Sequence, residues 1–126
     1  MFVLIGSGPG IGSTTAALFA AKKFDKIVLI SRNAERLDNE KKTVIEQAKQ
    51  AGRDVQVKTY AVDIADPKAL HEALSEVQKF GQIEVLLFNA ARVQPSPMFE
   101  TSSETIMTDF KVSLTLSATA IDDPKY

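Results

Sequence analysis

The stretch Phe2-Val3-Leu4-Ile5-Gly6-Ser7-Gly8-Pro9-Gly10-Ile11-Gly12-Ser13-Thr14-Thr15 decides the fold. Its first four residues are a short apolar run of the kind that forms a buried strand, and glycine closes it. Behind the glycines, residues 11–23 read as a helix in which Ala16, Ala17, Phe19 and Ala20 supply a small-residue face. A strand that turns into a helix through glycines leaves bare backbone N–H groups at the positive end of that helix. Such a turn is shaped for a phosphate. The hydroxyls of Ser13, Thr14 and Thr15, in the first helical turn, are available to supplement those donors. The spacing Gly6-xxx-Gly10-x-Gly12 differs from the common Gly-x-Gly-x-x-Gly fingerprint, which needs a third glycine at position 13, where serine stands. It is not a P-loop either, since no Gly-Lys-Ser/Thr follows.

Working outward, the hydrophobic period keeps switching between strand-like runs and helical spacing, the signature of an α/β sheet. Residues 26–30 form a second apolar run. Over residues 34–51, Leu37, Val44, Ile45, Ala48 and Ala51 fall on one helical stripe, and Gly52 stands where a helix-ending glycine belongs. Residues 54–61 alternate, with Val55, Val57 and Thr59 on one face. Asp66-Pro67 reads as an N-cap followed by a first-turn proline, opening a helix that carries Ala69, Leu70, Ala73, Leu74, Val77 and Phe80 before Gly81. Residues 83–88 are a nearly continuous apolar run, the pattern of a strand buried on both faces. A loop with Pro95 and Pro97 follows, then a helix over residues 102–121 with Ile106, Phe110, Leu114 and Ile121 as its buried stripe. The order βαβαβαβα predicts a Rossmann-like, doubly wound parallel sheet cut to about four strands in the order 3-2-1-4. One domain spans residues 1–126, with the dinucleotide-binding βα units in 1–91 and a loop and terminal helix in 92–126.

Composition narrows the function. The 126 residues hold 15 basic and 16 acidic side chains, a net charge of −1, so no field attracts nucleic acid or an anionic membrane. There is no cysteine and one histidine, His71, which excludes thiolate and multi-histidine metal sites. The apolar N-terminus reaches glycine after five residues, too short for a signal or spanning helix, and the expected location is cytoplasmic.

The end of the second strand selects the nucleotide. An NAD site places Asp or Glu there to accept from the ribose 2′-OH. This chain has Ser31-Arg32-Asn33 and no acid. A guanidinium fork beside a hydroxyl suits a 2′-phosphate, so NADP(H) is favoured over NAD(H). Arg36, one turn on, either assists or is solvated.

These residues resemble the short-chain dehydrogenase/reductase family. Its glycine pattern matches Gly6, Gly10 and Gly12. Its adenine-binding aspartate after the third strand matches Asp63 in Val62-Asp63-Ile64, and its Asn-Asn-Ala-Gly segment is matched in part by Phe88-Asn89-Ala90-Ala91. The resemblance runs through all four βα units and implies a cofactor site made of Gly6, Ser7, Gly8, Gly10, Ile11, Gly12, Ser31, Arg32, Asn33, Asp63, Ile64, Asn89, Ala90 and Ala91. It also implies that the full-length form transfers hydride between nicotinamide and an alcohol or carbonyl.

The family's chemistry further calls for a serine and a Tyr-x-x-x-Lys pair, whose tyrosine works as general acid/base with a lowered pKa. No Tyr-x-x-x-Lys occurs here: Tyr60 is followed four residues on by Ile64, and Tyr126 is terminal. A family asparagine in the helix after the fourth strand is replaced by Lys111, read as an exposed helical lysine. Arg92, Gln94, Pro95 and Met98 either border the nicotinamide or pack on a surface loop. The expectation is a truncated product that holds the cofactor half and no catalytic residue. A cofactor-sensing or interaction module and a non-functional fragment are the alternatives. The fourth strand then has an open edge, which with the last helix predicts self-association or a partner segment.

Overall fold

The computed structural model describes residues 1–91 and 101–111. Four strands and four helices alternate: β1 (Phe2–Ile5), α1 (Ile11–Lys22), β2 (Lys26–Ser31), α2 (Ala34–Gln50), β3 (Gln56–Ala61), α3 (Pro67–Phe80), β4 (Val85–Phe88) and α4 (Ser103–Phe110). The strands are parallel and lie in the order β3-β2-β1-β4, as the sequence predicts. Parallel strands need crossovers, and helices returning over the sheet bury both of its faces. Side chains of β1 therefore divide between two cores. Phe2 and Leu4 join Ile27, Leu29 and Val57 under α1 and α2, against Ala16, Ala17, Ala20, Leu37, Val44 and Ala48. Val3 and Ile5 join Val28 and Ile30 on the other face, against Leu70 and Val77 of α3.

The helix ends follow the sequence signals. Asp66 caps α3 by accepting from the N–H groups of Lys68 and Ala69, with Pro67 behind it. Gly52 has φ of 74°, and the N–H groups of Gly52 and Arg53 return to the carbonyls of Lys49 and Ala48, the paired bonds that close a helix at a left-handed residue. Arg53 also closes α1: its Nε donates to Ala20 O at 3.0 Å and its Nη2 to Lys23 O at 3.1 Å. The end of α3 is met by Lys26, whose Nζ donates to Phe80 O at 2.8 Å and lies 5.0 Å from the Phe80 ring centroid.

Three expectations need correction. Ala51 is exposed at the C-cap of α2, because the chain leaves the helix there instead of continuing its buried stripe. Position 40, between Leu37 and Val44 on that stripe, is buried as well and carries a glutamate. Ile106 and Phe110 are 56% and 55% exposed, because no described element packs over α4, which buries none of its residues. Leu114 and Ile121 lie outside the described residues. The strand read as buried on both faces is half-buried at every position, since β4 pairs with β1 alone among the described strands.

Candidate functional site

Parallel strands carry the turns that follow them to one edge of the sheet, and the strand order reverses direction at β1, which lies between β2 and β4. The turn between β1 and α1 lies there, fixed at its base. Gly6 and Ser7 both donate their N–H to Ile30 O, at 2.8 and 2.9 Å. Gly6 has φ of 84°, and a Cβ there would come within 2.4 Å of the Ala90 backbone. Only glycine lets the turns after β1 and β4 touch. Asn89 clasps the same place: its N–H donates to Ile5 O at 2.8 Å and its Nδ2 to Gly6 O at 3.3 Å. Gly12 is buried beneath, and a Cβ on it would meet Asn89 Nδ2 at 3.2 Å.

The outer half of the turn is open. A Cβ on Gly8 or Gly10 would meet nothing within 4 Å, and Gly10 has φ of 95°. Gly8 O and Gly10 O accept from Ser13 and Thr14, which starts α1. The N–H groups of Gly8, Gly10, Ile11 and Gly12 donate to no atom of the described residues. Four unused donors thus lie around the positive end of a 12-residue helix, beside space a side chain would fill.

Around this cradle stand the other expected residues. Ser31 ends β2, 9% exposed, and its Oγ has no partner. Arg32 is exposed and makes no hydrogen bond or ion pair with described residues. Asn33 has a structural duty: its Oδ1 accepts from Arg36 N at 2.8 Å and caps α2. Asp63 lies exposed past β3, with Oδ1 accepting from Ala65 N at 2.9 Å, and Ile64 is buried under α3. Tyr60 has its hydroxyl pushed above the ordinary value, first by burial and then by the charge of Glu76, the reverse of what a general base needs.

The short chain dehydrogenase family model matches residues 1–120. The chain belongs to the short-chain dehydrogenase family. It is 34% identical over 113 residues to L-xylulose reductase of Mus musculus, an alignment that takes in 89% of this chain and 40% of that protein. The fold superposes with TM-score 0.79 and 27% identity on L-sorbose reductase of Gluconobacter frateurii complexed with NADPH and L-sorbose, covering 94% of this chain and 43% of that one. NAD+-bound xylitol dehydrogenase shares the fold with TM-score 0.77 at 24% identity, over 95% of this chain and 45% of that one. The chain thus spans less than half the length of each of these proteins.

In this family member the structure brings together Gly6, Gly12, Asn89 and Ala90, and bonds Gly6 and Ser7 to Ile30 O, next to Ser31 at the end of β2. Ala91 is exposed, and Arg92, Gln94, Pro95 and Met98 lie outside the described residues. Sequence reasoning missed Glu40. This buried side chain accepts the Ser7 hydroxyl on Oε2 and has no partner for Oε1. The signal was present in the spacing 37, 40, 44, 48, which is helical throughout; the charge at position 40 hid it. No described helix is long and apolar enough to cross a membrane.

Proposed function

We propose that this chain binds NADP(H) and forms the cofactor half of an oxidoreductase acting on an alcohol or a carbonyl. The observation that carries the reading is the set of unused N–H donors at Gly8, Gly10, Ile11 and Gly12, beside open space. A diphosphate gains from each such donor and from the helix end, and side chains at Gly8 and Gly10 would occupy its place. Ser31 Oγ, buried and unpartnered, and the exposed guanidinium of Arg32, unpaired among the described residues, fit the adenosine 2′-phosphate. A buried hydroxyl without a partner is costly, and a ligand oxygen relieves it. Nothing acidic ends β2 to prefer a free 2′-hydroxyl. Asp63, with one oxygen committed to Ala65, retains the other for the adenine, and Asn89 ties the turn after β4 to the glycine turn.

Bound nicotinamide supplies a hydride donor or acceptor. This chain's part is to bind and orient it. The Tyr-x-x-x-Lys pair that the family uses for proton transfer is not among the 126 residues, so we expect binding without turnover from this polypeptide alone. The same observation favours a second reading, a cofactor-binding module that acts with another polypeptide.

The test is a pair of calorimetric titrations. Loss of a charge-assisted contact to a phosphate costs about 1.5–3 kcal/mol, or roughly 10- to 100-fold in affinity. Arg32→Ala is expected to weaken NADPH by that factor and to leave NADH within about threefold. Equal weakening of both, or of neither, contradicts the 2′-phosphate assignment.

A further inference from the structure

On the inward stripe of α2, where spacing calls for hydrocarbon, stands a carboxylate. Glu40 is 7% exposed and lies in register with Leu37, Val44 and Ala48. Its Oε2 accepts the hydroxyl of Ser7, which is itself 4% exposed and sits inside the glycine turn, 33 residues away. Its Oε1 finds no donor. Burying a carboxylate with one oxygen unsatisfied is a poor way to fill a core, since a leucine would pack there without desolvation cost. What a carboxylate adds is a directed, charge-assisted bond, and it is spent on the turn.

The turn needs such a bond. In its outer half a Cβ on Gly8 or Gly10 would meet no described group, and the backbone there is held by the bonds of Gly8 O and Gly10 O to the N–H groups of Ser13 and Thr14. The inner restraints are the two bonds to Ile30 O, the Asn89 Nδ2 bond to Gly6 O and the Ser7–Glu40 contact, the one side-chain bond between α2 and the turn among the described residues. We infer that Glu40 is a positioning residue for the phosphate cradle: through Ser7 it ties the glycine turn to α2 and fixes the direction of the N–H groups from Gly8 to Gly12. The inference rests on the dinucleotide reading above. Glu40 does not touch the ligand, being sealed beneath Ser7, and acts by removing freedom that binding would otherwise have to remove.

A double-mutant cycle on the 126-residue chain tests it, with NADPH and NADH as the titrants and Ser7→Ala, Glu40→Ala, the double variant and Glu40→Gln as the proteins. Each alanine variant is expected to weaken both dinucleotides about tenfold, as for loss of one charge-assisted hydrogen bond. The double variant should be no weaker than either single one, because both remove the same bond. Glu40→Gln, whose carboxamide oxygen still accepts the Ser7 hydroxyl, should retain most of the affinity. Amide hydrogen exchange on the ligand-free chain should quicken at Gly6 and Ser7 in the alanine variants and not in Glu40→Gln. Additive losses, or a Glu40→Gln variant that shifts the NADPH to NADH ratio, would overturn the inference and assign Glu40 an electrostatic role. Tight binding by the unsubstituted chain with unchanged affinity in every variant defeats the positioning role alone. Absence of binding by the unsubstituted chain defeats the dinucleotide reading and the positioning role together.

Discussion

Two glycines two positions apart have opposite reasons to be glycine. Gly6 is constrained by the protein, with φ of 84° and the Ala90 backbone 2.4 Å from where its Cβ would lie. Gly8 has no positive φ and no described atom within 4 Å of where its Cβ would lie, so under the proposed function only the dinucleotide would exclude a side chain there. Gly6→Ala is therefore expected to lower folding stability by about 2 kcal/mol or more, from backbone strain and the forced separation of two turns. Gly8→Ala should leave stability within about 0.5 kcal/mol, as for an exposed turn. It should nevertheless weaken NADPH binding. Urea denaturation and calorimetry on the two variants separate the effects. Wild-type affinity in Gly8→Ala would mean that the diphosphate does not approach this edge of the turn. Both glycines were legible from the sequence as part of a strand-to-helix turn. The distinction between them was not, because it depends on Ala90, which lies 84 positions from Gly6 in the chain.

Helix termini carry much of the order between elements. Arg53 follows α2 and satisfies carbonyls at the end of α1, so one side chain fixes the α1 terminus to the approach of β3. Its partner Asp25 is exposed, so their ion pair is screened and contributes little beside the bonds to carbonyls. Arg53→Ala is expected to cost about 1 kcal/mol, with Arg53→Lys recovering only part because an ammonium cannot fork to two carbonyls. Denaturant midpoints of both variants check this, and a fully neutral Arg53→Ala would remove the role. At this scale the sequence spoke clearly where the signal is local: the Asp66-Pro67 start of α3 and Gly52 after α2 were readable because caps depend on a few adjacent residues. It failed where the partner is remote. Nothing local singled out Arg53 or Glu40, whose bonding partners Ala20 and Ser7 each lie 33 residues away. Ile106 and Phe110 have core-like spacing, yet periodicity says which residues share a face and not whether anything covers it.

Across the whole molecule, the sheet order places the glycine turn, Ser31, Arg32, Asp63 and Asn89 at one edge, and hydrophobic patterning sufficed to read that order. The opposite consequence of the same topology is β4, half-buried and paired on one side among the described strands, while α4 exposes Ile106, Met107 and Phe110. Unpaired strand edges and apolar faces associate, so the chain is expected to self-associate with rising concentration. Sedimentation at several micromolar concentrations shows this, and a compact monomer throughout would contradict it. The proposed function requires that the N–H groups at the start of α1 receive a diphosphate. Its most direct test is an NMR titration of the 15N-labelled chain with NADPH, following each backbone amide. Saturable shifts are expected at Gly8, Gly10, Ile11 and Gly12, with further shifts at Ser31, Arg32 and Asp63. Saturating NADPH that leaves those glycine amides unmoved, or that moves only residues of β4 and α4, would contradict it.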